Sequence, residues 1–173
     1  MPKIIENVRE QLLNEAKRQI LENGYAKTTI RSVATSCGLG IGTVYNYFRS
    51  KDMLVASFVA EDWKQHLKQI EEQASKDPEE VIKSMYHNLS IFMEKYNTLF
   101  CDSDASKVYM AVLSTRHKQL RTQLARCLKS VCEKASVQDK EFLAEWIAES
   151  LLTWTVAGKS FDEQYEIIKQ IIK

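Results

Sequence analysis

Two prolines and five glycines among 173 residues leave the chain short of the chemistry that makes tight turns. A sandwich or barrel of short strands needs such turns at every corner, so an all-β fold is excluded and an all-α one is expected. Long apolar runs are missing too. None approaches the roughly 20 residues of a membrane-spanning helix, so no membrane partner is expected. The opening MPKIIENVREQ is too charged for a secretion signal, and a soluble, cytoplasmic protein is the expectation. Cys37, Cys101, Cys127 and Cys132 form no C-x-x-C and no close pair, which excludes a disulfide framework and argues against a thiolate metal site. His66, His87 and His117 are scattered, and no nucleophile–base set or acid cluster has a recognisable spacing. No catalytic residue, metal or cofactor is expected, and the chain does not read as an enzyme.

What is present is ordinary globular material, 45% hydrophobic and 27% charged, with a net charge of only +1. The charge is unevenly spread. Residues 1–51 carry eight Lys/Arg against four Glu, a net of +4, which leaves the remainder mildly acidic. A basic head on an acidic body suits a protein whose head alone meets a polyanion.

Apolar spacing of three and four residues predicts a helix from Ile4 to Asn23, stopped by Asn23-Gly24. Thr28 and Thr29 are N-cap candidates for a second helix, running to about Cys37, and a third spans about Ile41 to Phe48. Ser50 can cap a long fourth helix. Asp77-Pro78-Glu79-Glu80 is a strong start signal for a fifth: a capping acid, a proline where no donor is needed, and acids facing the positive end of the dipole. A polar break, CDSDAS, precedes a short helix at Val108–Leu113, and another covers about His117 to Ala135. The helix from about Asp139 to Ala157 is apolar on more than one stripe and wants neighbours on two sides. Gly158 ends it, and Ser160-x-x-Glu163 resembles a capping box for the last helix. About nine helices and no convincing strand result.

Three of the five glycines crowd into TIRSVATSCGLGIGTVYNYFRSK, residues 29–51. Two short helices joined by a Gly-containing turn describe a helix-turn-helix. Ala34 is small where the helix axes approach. Gly38 can take the left-handed conformation, and Val33, Leu39, Val44 and Phe48 supply an apolar underside. Two other readings compete. One is a phosphate-cradling loop, for which GLGIG has no preceding strand and lacks the third glycine; the other is a tight helical hairpin with no DNA role.

Residues 24–54, with Gly24, Thr29, Ile30, Val33, Ala34, Gly38, Leu39, Gly42, Thr43, Val44, Tyr45, Tyr47, Phe48, Ser50, Lys51 and Leu54, resemble the DNA-binding domain of the TetR family of bacterial transcriptional regulators, without insertion. The resemblance implies a three-helix helix-turn-helix domain at residues 1–51, with the motif at about 29–48. A helical effector-binding and dimerisation domain would follow at 52–173. It also implies a repressor, acting as a homodimer on a pseudo-palindromic double-stranded DNA operator and released by a small-molecule effector, which the aromatic and Met residues of the body suggest is apolar or aromatic. The alternative is a helix-turn-helix protein controlled by protein partners, with no effector pocket.

In such a domain the second helix of the motif enters the major groove. Gly40 and Gly42 strip bulk from its leading end, Thr29 offers donors to a phosphate, and Tyr45, Tyr47 and Lys51 contact phosphates by resemblance. Thr43 and Asn46 are the expected base-edge readers. Gly40 stands where the family often has a capping Ser, and Ile41 where it often has a polar residue, so Ile41 offers apolar contact to a thymine methyl. Pocket-lining candidates are Trp63, Tyr86, Phe92, Met93, Tyr109, Met110 and Trp146. By resemblance the last two helices pair with their copies as a four-helix bundle, with Phe142, Trp146, Leu151, Trp154, Tyr165 and Ile168 at the interface.

Overall fold

A computed structural model describes residues 7–74, 77–133 and 135–173, with side chains described outside 103–116. Among these residues there are eight α-helices and no strand: α1 Val8–Asn23, α2 Ile30–Ser36, α3 Ile41–Tyr47, α4 Lys51–Glu71, α5 Pro78–Cys101, α6 Ser103–Cys132, α7 Lys140–Val156 and α8 Phe161–Ile171. The expected ninth helix is absent because α6 runs unbroken where two helices were anticipated. The residues between Leu113 and His117 include neither glycine nor proline, so nothing there forces a stop. The earliest expected turn, from Ile4 to Glu6, lies outside the described residues.

The helix starts follow the sequence closely. Thr29 accepts from the Ser32 amide at 2.9 Å while Ser32 Oγ accepts from the Thr29 amide at 3.0 Å, a closed capping box. Ser50 Oγ accepts from the Met53 amide at 3.1 Å, and Asp77 Oδ1 from the Glu79 amide at 3.0 Å. Asp139 caps α7 through the Phe142 amide, and Ser160 with Glu163 forms the second capping box at α8. Caps of this kind contribute about 1 kcal/mol each.

The chain folds as two compact units. One comprises the residues to Asp62 together with Lys95–Met110; the other comprises Trp63–Glu94 and Ala111–Lys173. In the first, α1 packs on α2 and α2 on α3. Its interior holds Leu12, Ala16 and Ile20 from α1, Val33 and Ala34 from α2, Val44 from α3, and Val55 and Phe58 from α4. In the second, α7 packs on α8, and Ile70, Ile82, Met85, Leu124, Leu128 and Ile147 are buried.

Candidate nucleic-acid interface

The motif is closed by the turn between α2 and α3. The Gly38 amide donates to the Thr35 carbonyl at 3.0 Å, and the Leu39 amide reaches back to the Ala34 carbonyl at 2.9 Å. This pair of bonds is a Schellman ending, which requires a left-handed residue at its centre, and Gly38 has φ +65°. An L side chain there would bear the left-handed strain; glycine does not. Ala34 is buried at the crossing, as its small size led us to expect, and Val33, Val44 and Phe48 fill the underside.

With its anchors inward, α3 has little else to bury. Val44 is its one buried residue. Tyr45 and Tyr47 remain 51% and 47% exposed, costly for aromatics unless something covers them. Gly42 and Asn46 are also exposed, and Ile41 and Thr43 half-buried. A helix with one inward residue is a presented surface, not a core element. At its start Gly40 supplies no side-chain cap; its carbonyl accepts the Thr43 amide at 2.9 Å and the Val44 amide at 3.4 Å. The two amides before them have no partner within the helix, by the geometry of any helix start, and are donors for an anion.

The cations of residues 7–49 fall into two sets. Arg9 pairs with Glu61, Arg18 with Glu15 and Glu22, and Lys17 with Asp62, so these three are matched by local acids. Arg18 holds the Glu15 carboxyl down to about 2 against the opposing effect of burial. Lys27, Arg31 and Arg49 are exposed and make no ion pair among the described residues. They stand just before α2, in its first turn, and just after α3. These three were missed as individual contacts by the sequence reading, which saw only their summed charge; their positions flanking the motif were the available signal.

Two expected contacts are already engaged within the chain. Lys51 donates to the Tyr25 carbonyl at 2.9 Å, with its ammonium 3.6 Å from the centre of the Tyr25 ring. The Tyr25 hydroxyl in turn donates to Asp52. Lys51 therefore fixes the α1–α2 connection to the start of α4. Thr29 is committed through its own amide and its hydroxyl acceptor to the capping box, leaving the hydroxyl proton to donate outward.

The pocket candidates do not gather at one place. Trp63 and Phe92 meet edge-on at 5.3 Å, both buried, and the Trp63 indole donates to Gln123 Oε1 at 3.0 Å. His66 lies edge-on to the same Phe92 at 5.7 Å and bonds Asn88 at 2.8 Å. Tyr86 instead sits 5.9 Å from Phe161, and Met93 is half-buried. Trp146 lines an open groove of about 520 Å³ along α7 and α8. The side chains of Tyr109 and Met110 lie outside the described residues.

The interface candidates divide as well. Phe142, Trp146 and Trp154 are exposed at four- and eight-residue intervals along α7, joined by Val156 and, on α8, Ile167. Leu151 and Ile168, at 0% and 2% exposed, are corrected to the interior of their own unit. The α7 sequence is apolar on more than one stripe, so pattern alone could not assign its apolar sides. Tyr165 is half-buried and stacks on Phe161 at 5.2 Å. None of the described helices is long and apolar enough to cross a membrane.

Comparison with known proteins converges on the same segment. Residues 12–58 match the family model of bacterial regulatory proteins, tetR family. An HTH-type transcriptional repressor of Mycobacterium tuberculosis is 36% identical over 66 residues, covering 36% of this chain and 35% of that protein. The fatty acid metabolism regulator protein of Bacillus subtilis is 25% identical over 120 residues, 69% of this chain and 59% of that protein. These matches thus span between about a third and three-fifths of the relatives' own lengths. The fold extends further than the sequence match. The crystal structure of Thermus thermophilus FadR, a TetR-family repressor in complex with lauroyl-CoA, superposes with a TM-score of 0.63 at 18% identity, over 95% of this chain and 92% of that one. The glycine-closed helix-turn-helix thus lies inside the segment that matches the tetR family of bacterial regulatory proteins, and the chain as a whole has the helical fold of the FadR structure.

Proposed function

We propose that the protein is a dimeric transcriptional regulator, a repressor that binds a pseudo-palindromic duplex operator in the cytoplasm and is released by a small apolar or aromatic effector. The observation that carries this reading is α3, which keeps one residue inside, leaves Thr43 half-buried and exposes Tyr45, Asn46 and Tyr47 between cations that make no ion pair among the described residues. Tyr45 and Tyr47 supply hydroxyl donors to phosphates, while Lys27, Arg31 and Arg49 add sequence-independent attraction. Thr43 and Asn46 read base edges, and Ile41 meets a thymine methyl. Gly40 and Gly42 let the leading end of α3 approach the groove closely. Lys51 acts on phosphate chiefly through the Tyr25 connection it holds in place, and Thr29 through its outward hydroxyl proton.

The division of labour assigns DNA reading to residues 1–51 and effector response and dimerisation to 52–173. A second copy covering Phe142, Trp146 and Trp154 would remove a row of exposed aromatics from water and give the dimer two α3 helices for the two halves of the operator. Of the expected pocket residues, Trp63 and Phe92 meet within one unit, and an apolar or aromatic guest would be received beside them. The names of the Bacillus subtilis and Thermus thermophilus proteins, one concerned with fatty acid metabolism and the other holding lauroyl-CoA, support an apolar effector.

Genomic fragments enriched by the purified protein provide the test. Tyr47→Ala, which removes a neutral donor, should weaken binding to all of them with the salt dependence unchanged, whereas Asn46→Ala should relax preference at one base-pair position. Equal losses for both variants on every fragment would remove Asn46 as reader, and a wild-type protein that enriches no fragment at low salt would remove the regulator reading itself.

A further inference from the structure

Among the residues with no part in the surface just described, one group stands apart. Asp62, on α4, is 7% exposed, yet its carboxylate takes three donors from two other helices. Oδ1 accepts Lys17 Nζ of α1 at 2.6 Å; Oδ2 accepts Lys95 Nζ and the Tyr96 hydroxyl, both of α5, at 2.6 Å each. Tyr96 is fully buried, with Phe58 and Phe100 rings 6.2 and 6.1 Å away. The neighbouring residue Glu61 ties α4 to α1 a second time through Arg9, at 2.5 Å.

Such a cluster is a poor device for stability. Desolvating a carboxylate and two ammonium groups offsets most of their attraction, and apolar replacements of buried ion pairs are often neutral or stabilising. What charge-assisted bonds offer instead is direction. Apolar helix faces tolerate repacking and small slides; a carboxylate that must meet Lys17 on one oxygen and Lys95 with Tyr96 on the other fits one register of α1 against α4 and α5. Helix α1 carries α2, which carries α3, and Gln19 of α1 reinforces that chain by accepting from Ser32 Oγ at 2.6 Å and donating to Ser36 Oγ at 3.2 Å.

We propose that Asp62 is a positioning residue for DNA recognition: it sets the register of α1, and thereby the placement of α3, by clamping Lys17 to the Lys95–Tyr96 pair. The inference rests on the DNA-binding reading above and adds to it a specificity determinant with no contact to DNA.

The decisive variant replaces the whole cluster by apolar groups, Lys17→Met, Asp62→Leu, Lys95→Met and Tyr96→Phe together, which leaves no buried charge behind. Its thermal unfolding, amide hydrogen exchange, and affinities for an enriched genomic fragment and an unrelated duplex of equal length are measured at one salt concentration. The ratio of the two affinities is the readout, because a change in overall charge moves both alike. The expected result is a ratio reduced about tenfold or more with unfolding near that of the wild type, and faster exchange in α1 with α7 and α8 unchanged. A wild-type ratio in a stably folded variant would overturn the proposal and leave Asp62 a structural residue only. If the cluster variant does not fold, Tyr96→Phe, which removes one bond and no charge, takes its place with an expected loss of about threefold; an unchanged ratio there overturns the proposal equally. If the wild type itself discriminates no fragment, the functional reading fails separately. Exchange then decides the clamp alone: unchanged protection of α1 refutes it, and faster exchange retains it as a register device.

Discussion

Two glycines four residues apart should respond to the same substitution with opposite signs. At Gly38, an added Cβ meets no atom within 4 Å, so Gly38→Ala carries no steric cost from its surroundings. What remains is the backbone at φ +65°. An alanine in that conformation loses about 1–2 kcal/mol, partly offset by about 0.4–1 kcal/mol from the stiffer unfolded chain, for a net destabilisation of about 1 kcal/mol. Gly42 also has open space around its missing Cβ, but it sits inside α3 with no left-handed backbone. Gly42→Ala should therefore stabilise, by up to about 1 kcal/mol. For a chain of this size 1 kcal/mol moves Tm by about 2–4 °C, resolvable by circular dichroism at matched protein concentration. DNA binding should not follow stability. Gly42→Ala, the more stable protein, should bind an enriched fragment more weakly, because the new methyl stands where the helix approaches the groove; fluorescence anisotropy would read it. Tm shifts of the same sign for both variants would refute the backbone argument. Undiminished affinity in Gly42→Ala would refute the close approach of α3.

Two further outcomes follow from charge and exposure. Burial raises the Asp62 carboxyl pKa, but Lys17, Lys95 and Tyr96 together outweigh it and hold it at about 2, below its ordinary 3.8. A group depressed in this way contributes stability at pH above about 4 and loses it as pH falls towards 2, so acid titration of the wild type should show a loss of stability in that window that Asp62→Asn lacks; identical acid limbs would contradict the assignment. At the other end of the chain, Trp146→Glu with Trp154→Glu places charge on the exposed α7 row. On the proposed dimer, the wild type should sediment as a dimer and the double variant as a monomer, and a persisting dimer in the variant would move the interface elsewhere.

The parts of the fold that sequence revealed are those where local geometry admits few residue types. A Schellman turn demands glycine, a helix crossing demands a small residue, and a cap demands a short oxygen-bearing side chain; Gly38, Ala34, Thr29, Asp139 and Ser160 each met such a demand. The reading failed where the deciding partner is distant in the chain. Nothing near Lys51 announces the Tyr25 carbonyl, and nothing near Asp62 announces lysines 45 residues before it and 33 after it. The polar run CDSDAS does mark the break between α5 and α6, at Asp102, whereas the interruption expected between Leu113 and His117 does not occur, since no glycine or proline there ends the helix. Leu151 shows a different limit: on a helix apolar on more than one stripe, periodicity cannot say which residues face their own chain and which face a partner.

The first compact unit does not end with the helix-turn-helix. It takes in α4 as far as Asp62 and returns for the stretch that begins at Lys95. A gene fragment stopping at residue 51 would strip Val44 and Phe48 of Val55 and Phe58 as companions in the interior and leave Lys17 without its counter-charge. Transplanting this reading head onto another regulator would therefore mean moving two separate pieces of chain, and swaps that carry only the first should yield insoluble or loosely folded hybrids.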